Sequence, residues 1–150
     1  MGRESTDRVR TVALYGVLLS RTQSRAARLP GKGPAVYSSV DVTVLCGDAT
    51  RLDEVGVPGP YDLFFDLSCY CGIPPHRRDA YAAGLTRRAA PGARLLMFGY
   101  GPGAFDDSWS GVTADELRAR FTGWELADVT PGTNSVPTFW FTLLRDSAPA

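Results

Sequence analysis

Three short segments set polar or sulfur-bearing side chains directly behind apolar runs, and chemistry is to be sought there. Gly47-Asp48-Ala49 follows the β-branched run 42–46 and supplies a carboxylate. Asp66-Leu67-Ser68-Cys69-Tyr70 closes the run that begins at Tyr61 and supplies a polar bend with a thiol. Tyr100-Gly101-Pro102-Gly103 ends the run from Ala93 and supplies a glycine loop. In an open parallel sheet, ligands bind beyond the carboxyl ends of strands, where backbone groups and helix N-termini face an uncovered crevice. Rival chemistries have less behind them. Cys69, Cys71 and His76 lack the second ligand pair of a metal site, and free cysteines are commonly buried apolar residues, so no metal is expected. His76 is the only histidine, so a Ser-His-Asp or Cys-His hydrolase must use it, yet it falls on a first helical turn behind two prolines. No Gly-x-Ser-x-Gly elbow accompanies it. Asp66 reads as a strand-end cap, and Asp48 is divided between a turn residue and a ligand.

The elements that must position these segments alternate between strand-like and helical patterns from residue 42 onward, the mark of strands joined by crossover helices. Val42 to Cys46, Tyr61 to Asp66 and Ala93 to Gly99 read as buried strands. Pro74-Pro75 suits the first turn of a helix running through Arg88, with Tyr81 and Leu85 on one face and Pro91-Gly92 as its stop. Thr113 and Glu116 form a capping box for a helix through Phe121. Trp124 to Val129 and Thr138 to Arg145 predict an antiparallel hairpin at a sheet edge. Before residue 42, the run Val12 to Leu19 fits a strand or a helix, which periodicity does not separate; it is read as strand. Arg77-Arg78 and Arg87-Arg88 read as solvated helix faces, and Trp124, Trp140 and Phe141 as edge-strand packing.

Composition bounds the function classes. A chain of 150 residues, 44% hydrophobic and 21% charged, is one ordinary globular domain rather than disordered or coiled-coil sequence. Sixteen basic and sixteen acidic residues cancel, so no net field draws it to nucleic acid or to a membrane surface, and a small-molecule partner is expected. The balance is uneven: residues 1–33 hold seven basic and two acidic groups, +5, against −5 in the remainder. Three cysteines do not suggest a disulfide framework, and a cytoplasmic location is expected. Glu4 and Asp7 spoil any positively charged leader ahead of the apolar run.

Over roughly residues 40 to 145 these segments resemble class I S-adenosylmethionine-dependent methyltransferases, especially the small bacterial ones similar to thiopurine methyltransferases. The matching segments are Val42-Thr-Val-Leu-Cys-Gly-Asp-Ala49, Tyr61-Asp-Leu-Phe-Phe-Asp-Leu-Ser-Cys69 and Pro91-Gly-Ala-Arg-Leu-Leu-Met97. The resemblance implies an α/β fold: a Rossmann-like, mostly parallel sheet with flanking helices and a C-terminal antiparallel hairpin. It implies S-adenosyl-L-methionine as cofactor and a small-molecule methyl acceptor. Asp48 would then accept a hydrogen bond from the adenine amino group and Ala49 offer backbone contact, while Leu67, Ser68 and Cys69 border the methionine portion. Tyr70 and Tyr100 would line the acceptor pocket, with Phe105 and Trp109 as its hydrophobic lid. The family's glycine-rich turn after its first strand and the acid ending its second have no recognisable counterpart. A single domain over 1–150 is therefore expected, with an atypical segment 1–41, shortened or rearranged, ahead of a family-like body 42–145. The alternative is a non-catalytic or truncated interaction module that self-associates through an incomplete sheet. A dinucleotide-dependent oxidoreductase is disfavoured by the absence of Gly-x-Gly-x-x-Gly.

Overall fold

The computed structural model describes residues 10–15, 45–107 and 109–147. Five strands form one sheet in the order β1-β2-β3-β5-β4. They are β1 (Thr11–Tyr15), β2 (Tyr61–Leu67), β3 (Ala89–Tyr100), β4 (Trp124–Pro131) and β5 (Thr138–Arg145). β1, β2 and β3 run parallel, β5 is antiparallel to β3, and β4 pairs antiparallel with β5 at the edge. This is the mostly parallel α/β sheet with a terminal hairpin that the sequence pattern predicts.

The helices are α1 (Leu52–Val55), α2 (Cys69–Gly72), α3 (Arg78–Thr86) and α4 (Ala114–Arg120), with a 3-10 turn at Pro75–Arg77. They gather on one face of the sheet because alternate strand residues point there. Phe64, Leu95, Met97, Phe141 and Leu143 pack against Leu52, Tyr70, Tyr81, Leu85, Leu117 and Phe121 in one buried cluster. The intervening residues Phe65, Phe98 and Trp140 form a partly exposed aromatic row on the other face, with Phe98 and Trp140 ring centres 5.1 Å apart. Burying one large apolar side chain contributes roughly 1.5–3 kcal/mol, so the helix-covered face carries most of the stability.

Several expectations change in detail. The strand read into Val12–Leu19 is present as Thr11–Tyr15 beside β2, and residues 16–19 lie outside the described residues. The strand expected at Val42–Cys46 is not supported where it can be followed. Leu45 and Cys46 are exposed and outside any strand, residues 42–44 lie outside the described set, and β2's open side is already taken by β1. The helix expected from Pro74 to Arg88 is broken into the 3-10 turn, where the Arg77 amide bonds the Pro74 carbonyl at 2.9 Å, and α3, which ends at Thr86. β3 begins at Ala89, earlier than expected. Tyr61 pairs with Ala89 and Leu63 with Arg94, so Ala90, Pro91 and Gly92 are accommodated in an irregularity that does not need proline's missing donor. Half of the predicted capping box is seen: the Thr113 hydroxyl accepts from the Glu116 amide at 3.2 Å, while the Glu116 carboxylate accepts instead from Arg78 and Arg120.

Candidate functional site

The carboxyl end of β2 turns sharply. Ser68 takes a left-handed backbone, φ +62°, which costs a non-glycine residue about 1–2 kcal/mol and holds only when its surroundings impose it. They do so through Asp66. This fully buried carboxylate accepts from the Cys69 amide at 2.7 Å, from the Tyr70 amide at 3.1 Å and from the Tyr81 hydroxyl, so it caps α2 and ties it to α3. On the other side, the Ser68 amide donates to the Phe98 carbonyl of β3 at 3.1 Å. Burial pushes the Asp66 carboxyl up to about 6 against the opposing pull of Tyr81 and the two amides. The strand-end cap predicted for Asp66 is therefore observed.

Asp48 sits in the turn leading to α1. Its Oδ1 accepts from the Thr50 amide at 2.9 Å and from the Thr50 hydroxyl at 2.8 Å, while Arg77 donates to its Oδ2. Arg77 also donates to Thr50 Oγ1 at 2.6 Å. Partial desolvation works against ionisation, yet the Thr50 amide, the Arg77 guanidinium and the Thr50 hydroxyl outweigh it and hold the carboxyl at about 2. Asp48 is also close enough to Cys69 for its charge to raise that thiol. Burial is the main cause there, with the Asp66 carboxylate next, and together they push Cys69 up to about 12. Arg77 thus ties the acidic turn to the 3-10 turn that follows the Ser68–Cys69 bend.

Beyond β3 the glycine loop folds back. Gly111, with φ +59°, lies so near Gly101 that an added Cβ would stand 2.2 Å from the Gly101 carbonyl carbon, so only glycine permits this approach. In this loop Tyr100 and Phe105 lie with ring centres 4.9 Å apart and planes tilted by 48°, and Phe105 stands edge-on to Trp109 at 4.9 Å. Phe105 is 61% exposed, and the Trp109 indole N–H has no partner among the described residues.

The residues singled out in the sequence are distributed as follows. Leu67, Ser68 and Cys69 follow one another along the bend, with Leu67 exposed and Cys69 buried. Asp48 is exposed and Ala49 half-buried beside it. Tyr100, Phe105 and Trp109 form one cluster. Tyr70 is not with them. It is fully buried among Tyr81 and Phe121, ring centres 5.5 and 5.9 Å away, with the Arg78 guanidinium 4.9 Å from its ring.

The reading of the arginine pairs as solvated is corrected at two of four positions. Arg78 is 2% exposed, donating to the Ile73, Cys71 and Gly111 carbonyls and to Glu116, because each neighbouring chain end presents an acceptor to it. Arg88 is 8% exposed and bonds the Val57 and Gly84 carbonyls and Asp53. Sequence periodicity could have found Arg78, which lies three and seven residues before Tyr81 and Leu85 on one helix face. No comparable signal marks Arg77. The shallow 390 Å³ cleft beside Asp53, Val57, Pro60 and Arg88 lies at the opposite, amino-terminal end of β2. No helix among the described residues is long and apolar enough to cross a membrane.

Solved structures share this architecture. One, described for the conversion of a disulfide bond into a thioacetal group during echinomycin biosynthesis, is 22% identical with a TM-score of 0.53, the match covering 69% of this chain and 55% of that one. The N-methyltransferase NodS of Bradyrhizobium japonicum, in complex with S-adenosyl-L-homocysteine, is 11% identical with a TM-score of 0.53, covering 66% of this chain and 52% of that one. The 1,6-didemethyltoxoflavin-N1-methyltransferase of Burkholderia thailandensis, with bound 1,6-didemethyltoxoflavin and S-adenosylhomocysteine, is 15% identical with a TM-score of 0.50, covering 65% and 48%. The likeness shows the fold, the mixed and mostly parallel sheet of class I S-adenosylmethionine-dependent methyltransferases. The chain spans about half the length of these structures. No protein-family model and no curated protein matches it.

Proposed function

We propose that the chain is the body of a methyltransferase of the small bacterial type, binding S-adenosyl-L-methionine and a small-molecule acceptor in a reducing, cytoplasmic setting. What supports this reading is an ionised Asp48 tied by Arg77 to the turn that follows the Ser68–Cys69 bend, on the fold that neighbouring methyltransferases use. The acidic turn suits the adenine end of the cofactor. A carboxylate offers about four acceptor positions. Asp48 uses three, on Thr50 and Arg77, and is held ionised, so among the described residues one acceptor position is left for an exocyclic amino group.

When bound, the cofactor supplies a sulfonium methyl group open to in-line displacement. The chain's own contribution is alignment and exclusion of water. Asp48 orients the adenine, the Ala49 backbone borders it, and Leu67, Ser68 and Cys69 flank the methionine portion along the bend that Asp66 fixes. Tyr100, Phe105 and Trp109 offer the acceptor an apolar wall, and loops at strand ends are where such specificity resides. Tyr70, packed against Tyr81 and Phe121, is not part of that wall, and no general base is assigned.

Isothermal titration of the full chain with S-adenosylhomocysteine tests the reading. One site is expected, with Asp48→Ala weakening it by about tenfold or more through loss of a charge-assisted hydrogen bond. A folded protein that gives no binding would overturn it and leave the interaction-module alternative.

A further inference from the structure

The Asp48 carboxylate does not stand alone in its turn. Thr50 donates its hydroxyl to Oδ1 and accepts, on the same oxygen, a hydrogen bond from Arg77 Nη2 at 2.6 Å; Arg77 Nη2 in turn holds Oδ2. The three side chains form a closed ring joining the turn before α1 to the 3-10 turn after β2. As a staple it is weak. The Arg77 and Asp48 side chains are 41% and 39% exposed, and ion pairs so open to water contribute little to stability. The ring fixes direction instead. Thr50 anchors Oδ1 alone and leaves the carboxylate plane free to turn; Arg77 captures Oδ2 and sets that plane. The fourth acceptor position, on Oδ2, has no donor among the described residues.

We propose that Arg77 is a positioning residue for purine recognition, fixing the Asp48 carboxylate so that the site accepts a 6-amino purine and rejects a 6-oxo one. This rests on the function proposed above. An amino group donates to the remaining Oδ2 position. An oxo group brings a second acceptor to the same place, and Arg77, committed to Asp48 and Thr50, does not swing out to satisfy it. Two acceptors brought face to face are disfavoured even where water reaches them, by less than in a buried site. Arginine suits the task because its planar fork is already organised, and one nitrogen here serves two acceptors.

The test is titration of the full chain with S-adenosylhomocysteine and with S-inosylhomocysteine, which differs in carrying an oxo group at the 6-position. The parent protein should prefer the amino ligand by about tenfold or more. Arg77→Gln should weaken the amino ligand by roughly tenfold and leave the oxo ligand within about twofold, so that discrimination collapses. Arg77→Lys, which keeps the charge without the fork, should fall between the two. Far-UV circular dichroism and the urea midpoint should not move, since the pair is exposed. Equal weakening of both ligands by Arg77→Gln, or no change in either, overturns the positioning role while the proposed function stands. A parent protein that binds neither ligand overturns both.

Discussion

Asp48 and Asp66 each accept from three donor groups. For Asp48 these are the Thr50 amide, the Thr50 hydroxyl and Arg77; for Asp66 they are the Cys69 amide, the Tyr70 amide and the Tyr81 hydroxyl. Their acidities nevertheless move in opposite directions, down to about 2 and up to about 6. The number of hydrogen bonds does not explain the difference. Desolvation opposes the charge at both, but Asp48 keeps contact with water and has a cation, whereas Asp66 is sealed and has only neutral donors. An exposed, ionised carboxylate suits a ligand; a buried one of raised pKa suits a framework that fixes the bend next to it.

The largest consequence of this contrast is expected at Asp66. Asp66→Ala leaves two amides and a phenol buried without an acceptor, at about 1–3 kcal/mol for each group. Partial relaxation brings the expected total to about 3–5 kcal/mol, read as a fall in the urea midpoint. A loss below about 1 kcal/mol would mean that water replaces the carboxylate and that the bend is held by something else.

Thiol chemistry reports on the two corners directly. Cys46, two residues before Asp48, is exposed, while Cys69 and Cys71 are buried and burial raises both thiols, Cys69 to about 12. Only thiolate reacts. Alkylation of the native protein near pH 8 should therefore label Cys46 alone, with Cys69 slower by about a thousandfold and released on unfolding. Mass mapping that finds Cys69 modified together with Cys46 would show that the Ser68–Cys69 corner opens in the native state.

The pH dependence of Asp66 follows from its shift. Its folded pKa, about 6, lies above the ordinary aspartate value of 3.8. The folded state thus binds a proton more readily, and the associated stability is fully present below 3.8 and lost as pH rises through about 6. A gap of roughly two units corresponds to on the order of 3 kcal/mol. Subtracting the urea stability of Asp66→Asn from that of the parent between pH 4 and 7 should isolate this decline. A flat difference would place the proton elsewhere.

Much of this framework was legible in the sequence because it rests on local signals. Apolar runs, the Thr113 N-cap and the Asp66 cap each depend on neighbours a few residues away. The strand at Thr11–Tyr15 was ambiguous because a continuously apolar run lacks the alternation that separates strand from helix, and only its pairing with β2 decides. The site was legible in part. Ser68 follows β2 and the aromatic trio begins at the end of β3, where topology directs attention, whereas Asp48 was reached through a strand at 42–46 that is not seen at Leu45 and Cys46. Tyr70 was placed by position beside the bend, but the direction of its ring into the core is set by Tyr81, Phe121 and Arg78. The Asp48–Arg77 bridge spans 29 residues, and no local pattern encodes such a pair.

The smallest expected effect completes the contrast. Asp48→Asn retains an acceptor for Thr50 and removes the charge that faces Arg77, and water screens a pair this exposed. The stability cost should stay under about 1 kcal/mol and shrink towards zero as salt approaches about 1 M, where the Debye length is about 3 Å. Because the folded pKa of Asp48 is depressed, its contribution is present above 3.8 and lost as pH falls through about 2, the reverse of Asp66. The two slopes therefore occupy separate windows, roughly pH 2–4 for Asp48 and pH 4–6 for Asp66. Urea titrations of Asp48→Asn across both windows should change only the lower one. A loss as large as that of Asp66→Ala would make the Arg77 bridge part of the framework, leaving Asp48 no longer free to serve a ligand.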